Sequence, residues 1–171
     1  GIDRGAPVVT ITGVEDGVYY PDDVVPVIEV SDINLETTTI TLNDQPYESG
    51  TVISAEGDYV LLVTAEDKAE NTTTETVHFG IDRGAPVVTI TGVEDGVYYP
   101  DDVVPVIEVS DVNLETTAIT LNGQPYESGI VISAEGEYVL SVIAEDRADN
   151  STTETVHFWI CLLYTSDAAD E

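Results

Sequence analysis

The chain has no methionine, one cysteine, one tryptophan, two histidines and only four basic residues among its 171. Each scarcity excludes something. Four Lys and Arg against 34 Asp and Glu give a formal net charge of −30. Nucleic acid and anionic membrane surfaces bind through clustered Lys and Arg, so neither is an expected partner. No apolar run approaches the ~18–20 residues of a membrane span, so no membrane insertion is expected either. A single cysteine cannot close an internal disulfide. Without methionine there is no translation start, and no signal peptide is visible. The expectation is therefore an internal piece of a longer gene product.

What is present is a repeat. Residues 1–79 recur as 80–158 at an offset of 79, with 69 of 79 positions identical. A unit of this length exceeds the ~55–65 residues at which domains fold alone, so two complete modules are expected, and not a solenoid. Hydrophobic residues make up 42% of the chain, and the acids are interspersed with Val and Ile, which excludes disorder. The acid excess makes cations the natural partners; solubility or a salty milieu accounts for it equally well.

Within one module, strand signals recur about every ten residues, punctuated by Gly, Pro, Asn and Asp, the rhythm of an all-β sandwich. Strands are expected over 7–13, 24–30, 36–42, 51–54, 58–65 and 74–79, with a short piece at 18–20. About seven strands leave no room for helices. The ten differences between the copies support this alternation. In Y-V-L-L-V-T-A (59–65), Leu62 becomes Ser141 and Thr64 becomes Ile143, while Tyr59, Leu61, Val63 and Ala65 are unchanged. Side chains alternate with period two, so the unchanged set is expected to face the core. Tyr59, two residues before an inward position, fits the tyrosine corner of immunoglobulin-type sandwiches.

A-P-V-V-T-I-T-G-V-E-D-G at the module start and G-D-Y-V-L-L-V-T-A-E-D-K-A-E-N near its end resemble the bacterial immunoglobulin-like modules strung in tandem along large surface proteins and adhesins. The resemblance covers 1–160. It implies two tandem Ig-like β-sandwich modules, 1–79 and 80–158, with 159–160 opening a third. It also implies an extracellular or cell-surface location and a spacer role, with neighbouring repeats as partners. Two alternatives stand beside this: a module that binds a surface glycan or host protein, and an accessory region of a secreted polysaccharide-degrading enzyme. The family's hairpin usually reads D-x-A-G-N; Glu70 and Asp149 replace its Gly. The repeat breaks at Cys161, and C-L-L-Y-T-S-D-A-A-D-E (161–171) resembles the translation of a transposon-end adapter from sequencing libraries. Those residues are expected to be non-native.

Catalysis has little to work with. His78 and His157 are equivalent positions on the outer face of a strand. The adjacent acids Glu15-Asp16 and Asp22-Asp23 are expected in solvated turns, and no enzyme activity is expected. Calcium is the sharper expectation, because it takes six to eight hard oxygen ligands and the loops of such a sandwich gather at its two ends. Asp82, Asp111, Asn113, Asp146 and Asn150 are expected to converge at the start of the second module, and Asp3, Asp32, Asn34, Asp67 and Asn71 at the start of the first. Cadherin-like repeats bind calcium at D-x-N-D-N-A-P linkers, of which this chain keeps one Asp and the A-P, with Arg83 beside Asp82. Asx residues also favour turns by bonding their own backbone, so a plain set of turns stands as the alternative. Asn71-Thr72-Thr73 and Asn150-Ser151-Thr152 fit the N-glycosylation pattern. Tyr19, Tyr20 and Tyr47 offer either a sugar-stacking platform or a cap on the core.

Overall fold

A computed structural model describes residues 1–163; residues 164–171 of the adapter-like tail lie outside the described residues. The chain divides into two compact units, Gly1–Arg83 and a second beginning at Gly84. Each is a two-layer β-sandwich, with no helix among the described residues.

The first module contains β1 (Val8–Thr12), β2 (Val18–Tyr20), β3 (Val27–Ser31), β4 (Leu35–Leu42), β5 (Gln45–Pro46), β6 (Gly57–Asp67) and β7 (Thr72–Ile81). One sheet runs β2-β7-β6-β4-β5 and the other pairs β1 with β3. The second module repeats the plan as β8 (Val87–Thr91), β9 (Val97–Tyr99), β10 (Val106–Ser110), β11 (Leu114–Leu121), β12 (Gln124–Pro125), β13 (Gly136–Asp146) and β14 (Ser151–Ile160). Its sheets are β9-β14-β13-β11-β12 and β8-β10. Every pairing is antiparallel except β2 on β7 and β9 on β14.

The core follows the expected alternation. Leu61, Val63 and Ala65 of β6 have no exposed surface, while Leu62 and Thr64 between them are half-buried. Val14, Val24, Ile28 and Ile53 complete this core with Phe79 and Ile81. Tyr59 stacks on Phe79 with ring centroids 5.2 Å apart, and its hydroxyl donates to the Ala55 carbonyl at 2.6 Å. Tyr138 does the same to Ala134 at 2.7 Å. The tyrosine corner is thus present in both modules, closing the turn that leads into the longest strand.

Two local features explain where the strand boundaries depart from expectation. The second strand begins at Val27, not Val24, because Pro26 has no N–H to give a ladder; Val24 instead forms an isolated bridge with Ile53. That bridge is all the strand character that 51–54 retains. At Gly13, with φ of 87°, an added Cβ would lie 2.2 Å from the Val25 carbonyl oxygen. Only glycine fits so close an approach.

The structural boundary also differs from the sequence period. β7 continues through Gly80 to Ile81, which is 2% exposed in the first core, and β14 continues through Trp159 to Ile160, 1% exposed in the second. Residues 159–160 therefore complete the second module instead of opening a third. A repeat period can be cut at any phase; the packing of Ile81 and Ile160 decides where the sandwich ends.

Candidate metal centre

The first module's cluster is built from three turns. β6 ends at Asp67, and the chain reverses through a hairpin in which Glu70 N–H donates to Asp67 O at 3.1 Å and Asp67 N–H to Asn71 O at 3.1 Å. Glu70 holds the left-handed conformation, φ 63°, a backbone setting that glycine adopts without strain. The Asp67 carboxylate turns inward and is fully buried. Its Oδ1 accepts from the N–H groups of Ala69 (2.8 Å) and Asn71 (2.9 Å), and its Oδ2 from the Asn71 amide at 2.8 Å. These donors, led by the Asn71 side chain, hold the carboxyl below the usual carboxylate range against the opposing effect of burial.

The loop between β3 and β4 is drawn alongside. Lys68 N–H donates to Asn34 O at 2.9 Å, and Asn34 N–H closes an Asx turn on Asp32 Oδ1 at 2.6 Å. Asp3 then joins the two elements to the leader segment. Its Oδ2 accepts the Asn34 amide at 2.8 Å and its Oδ1 accepts Gly5 N–H at 3.0 Å. The Asn34 amide first, then Gly5, lowers the Asp3 carboxyl; the neighbouring Asp67 charge works the other way. Thr73 Oγ1 ties the leader down by donating to Pro7 O.

One carboxylate oxygen from each of Asp3, Asp32 and Asp67 lies within 4.8 Å of the others. Calcium–oxygen bonds of ~2.3–2.6 Å place oxygens on opposite sides of one ion about 5 Å apart, so a single hard cation can touch all three. Each carboxylate accepts at about four lone-pair positions, and the hydrogen bonds described above use only some of them. The sequence set is therefore brought together in the first module. Asn34 and Asn71 direct their amide nitrogens at Asp3 and Asp67, as donors to those carboxylates.

In the second module Asp111, Asn113, Asp146 and Asn150 repeat this pattern. Asn113 N–H donates to Asp111 Oδ1 at 2.7 Å, and Arg147 N–H donates to Asn113 O at 2.9 Å. The buried Asp146 accepts from Ala148 N–H, Asn150 N–H and the Asn150 amide, at 2.8, 2.9 and 2.9 Å. Asp82 belongs to the end of the first unit, where its N–H donates to Tyr20 O at 2.9 Å. The asparagines of both N-glycosylation patterns have their amides committed to these buried carboxylates.

The remaining candidates resolve into structural roles. Asp16 Oδ1 accepts His78 N–H at 2.7 Å and lies 3.2 Å from the exposed ring Nδ1. The His78 N–H chiefly, then the ring, lowers the Asp16 carboxyl. Tyr20 packs edge-on against Phe79 at 6.5 Å, and Tyr47 donates to Thr51 O while burial pushes its hydroxyl pKa up. Tyr19 instead lies over Gly80, so that a Cβ there would meet the Tyr19 ring at 2.3 Å. The three tyrosines therefore form no common platform, and two of them cap the core.

One set was missed at the sequence level. Arg83 donates from its backbone N–H to Glu56 Oε1 at 2.7 Å and from its guanidinium to Ser54 O at 2.7 Å and to the Asp23 carboxylate. These contacts fasten the exit segment onto the module it leaves. Asp23, Ser54 and Glu56 recur in the second copy, but where 69 of 79 positions are identical, identity marks nothing.

Strand order, paired sheets and tyrosine corner together define an immunoglobulin-like β-sandwich, present twice in tandem. No protein family and no curated protein matches the chain. Among solved structures, it is similar to Dscam in a study of isoform specificity, at 13% identity over 94% of this chain and 47% of that one, TM-score 0.53. The chain thus spans about half of that Dscam structure's length. Murine CEACAM1b aligns at 14% identity over 90% of this chain and 100% of that one, TM-score 0.48. The fibronectin(III)-like modules of Clostridium thermocellum CbhA align at 18% over 91% and 95%, TM-score 0.45. At such identities the likeness extends to the fold alone.

Proposed function

We propose that this chain is a non-catalytic spacer: a run of immunoglobulin-like modules in the stalk of an extracellular, adhesin-like surface protein of the bacterial tandem-repeat kind, projecting a distal functional region. The observation that carries this reading is the fastened exit. Asp82 and Arg83 are bonded down onto the first module, and only Gly84–Pro86 separate Arg83 from β8. Such a three-residue connection is far shorter than a free Gly/Ser tether, and one of its residues is proline. High like charge keeps neighbouring stalks from associating. Calcium is the proposed stiffener of the module starts, held in the first module by Asp3, Asp32 and Asp67. It would neutralise three carboxylates gathered within one coordination sphere and fix the leader to both loops.

Single-molecule pulling in EDTA and in 10 mM calcium tests both parts. The stalk reading expects two separate unfolding steps, each releasing a contour length of roughly 260–280 Å at ~3.3–3.6 Å per residue. A single cooperative step for the whole chain would overturn it. The calcium reading expects higher unfolding forces in calcium than in magnesium at equal ionic strength, with Asp32→Asn removing the gain from one step. Equal forces in all salts would remove calcium and leave the stalk.

A further inference from the structure

In the first module the Val24–Ile53 bridge sets Asp23 beside Ser54, and the Arg83 guanidinium spans the Asp23 carboxylate and the Ser54 carbonyl oxygen. The second module keeps this frame. Val103 and Ile132 form the equivalent bridge, with N–H to O distances of 3.1 and 2.9 Å, and it sets Asp102 beside Ser133. The backbone of the exit segment also follows the same path. Cys161 N–H donates to Tyr99 O at 2.9 Å, as Asp82 does to Tyr20, and Leu162 N–H donates to Glu135 Oε1 at 2.8 Å, as Arg83 does to Glu56. Only the side chain differs. Where the first module receives a guanidinium, the second receives Leu162, which packs partly buried against its core.

We propose that Asp102 and Ser133 form a binding site for an arginine side chain on the exit edge of the second module, and that its partner is the arginine of the repeat's G-I-D-R leader, which a further copy running on from Trp159-Ile160 would place at position 162. This rests on the reading of the modules as links of an array. Both leaders present, Gly1–Arg4 and Gly80–Arg83, carry that tetrapeptide. The second of them shows the same residue types, Asp and Ser at the equivalent positions, holding the arginine. One acceptor is a carboxylate and the other a carbonyl oxygen, so the site favours a planar fork of donors over a point charge and selects Arg over Lys. Each module is thereby both donor and receptor: its leader arginine locks the module before it, and its exit edge awaits the leader that follows.

The single tryptophan, Trp159, lies in β14 of the second module, so its fluorescence reports the unfolding of that module alone in the intact chain. Leu162→Arg is compared with Leu162→Gln, which loses the same leucine packing without gaining the charge. Arginine is expected to raise the Trp159 unfolding midpoint above the glutamine variant by about 2–5 °C, and Leu162→Lys to recover less than half of that. Asp102→Asn should abolish the arginine gain yet move the unsubstituted chain by under about 1 °C. Equal midpoints for Arg and Gln, or the same effect of Asp102→Asn in both backgrounds, would overturn the proposal. The cycle needs neither calcium nor stepwise unfolding, so its failure and the failure of the stalk reading are separately visible.

Discussion

Glu70 sits at φ 63° in the hairpin that carries the buried Asp67, and Asp149 sits at the same angle in the second copy. A left-handed conformation costs an ordinary side chain about 1–2 kcal/mol, whereas Asp is more tolerant of it. Glycine avoids that strain but returns roughly 0.5–1 kcal/mol through the entropy it loses on folding. Glu70→Gly should therefore stabilise the first module by about 0.5–1 kcal/mol. Calorimetry should show one transition moving up by ~2–6 °C while the Trp159-reported transition stays in place. This strain was legible in the sequence as an expectation, because D-K-A-E-N resembles a D-x-A-G-N hairpin with Glu70 in place of the Gly. The burial of Asp67 was not. An acid at a strand end reads as solvated until the donors that receive it are seen, and all three come from the four residues that follow. Arg83 was likewise opaque, since its partners Asp23, Ser54 and Glu56 reach it only through the fold.

Along a single strand, the contrast between faces is strong enough to predict opposite outcomes two or three residues apart. Leu140 of β13 has no exposed surface, and Ile143 on the other face is 47% exposed. Leu140→Ala should remove about 2–5 kcal/mol through lost burial and the cavity left behind, dropping the Trp159-reported midpoint by well over 10 °C in a module of this size. Ile143→Thr, which installs the residue the first module carries as Thr64, should stay within about 0.5 kcal/mol. Thermal unfolding followed by Trp159 fluorescence checks both; comparable losses at the two sites would mean the strand does not divide into core and surface faces. This alternation was readable from sequence because the duplicate copies differ on one face only. Register against distant strands was not. The parallel pairing of β2 with β7 joins Val18 to Phe79, and a strand of three residues has no periodicity by which to announce its partner. The hairpin β4–β5 was partly announced, since Asn43-Asp44 and Asn122-Gly123 supply the positive φ angles of a two-residue turn.

For the whole molecule, a formal charge of −30 opposes every compact arrangement through self-repulsion. Monovalent salt at about 0.5 M shortens the screening length to roughly 4 Å and should raise both midpoints at pH 7. The gain should shrink near pH 4.5, where many surface carboxylates have taken up protons. Acid then acts in the opposite direction through particular groups. The carboxyls of Asp3, Asp16 and Asp67 are held below their ordinary values in the folded state. The unfolded chain keeps ordinary carboxylates, so it binds protons first as pH falls. Stability from these three is complete above the usual carboxylate pKa of about 4 and drains away as pH drops through it toward their lowered values. The midpoint should therefore fall below about pH 4 even in high salt, where repulsion is already screened. A pH series of thermal unfolding at low and high salt separates the two effects. If high salt removed the acid limb as well, the hydrogen-bonded carboxylates would contribute nothing beyond their charge, and the turns around Asp67 would owe their order to backbone geometry alone.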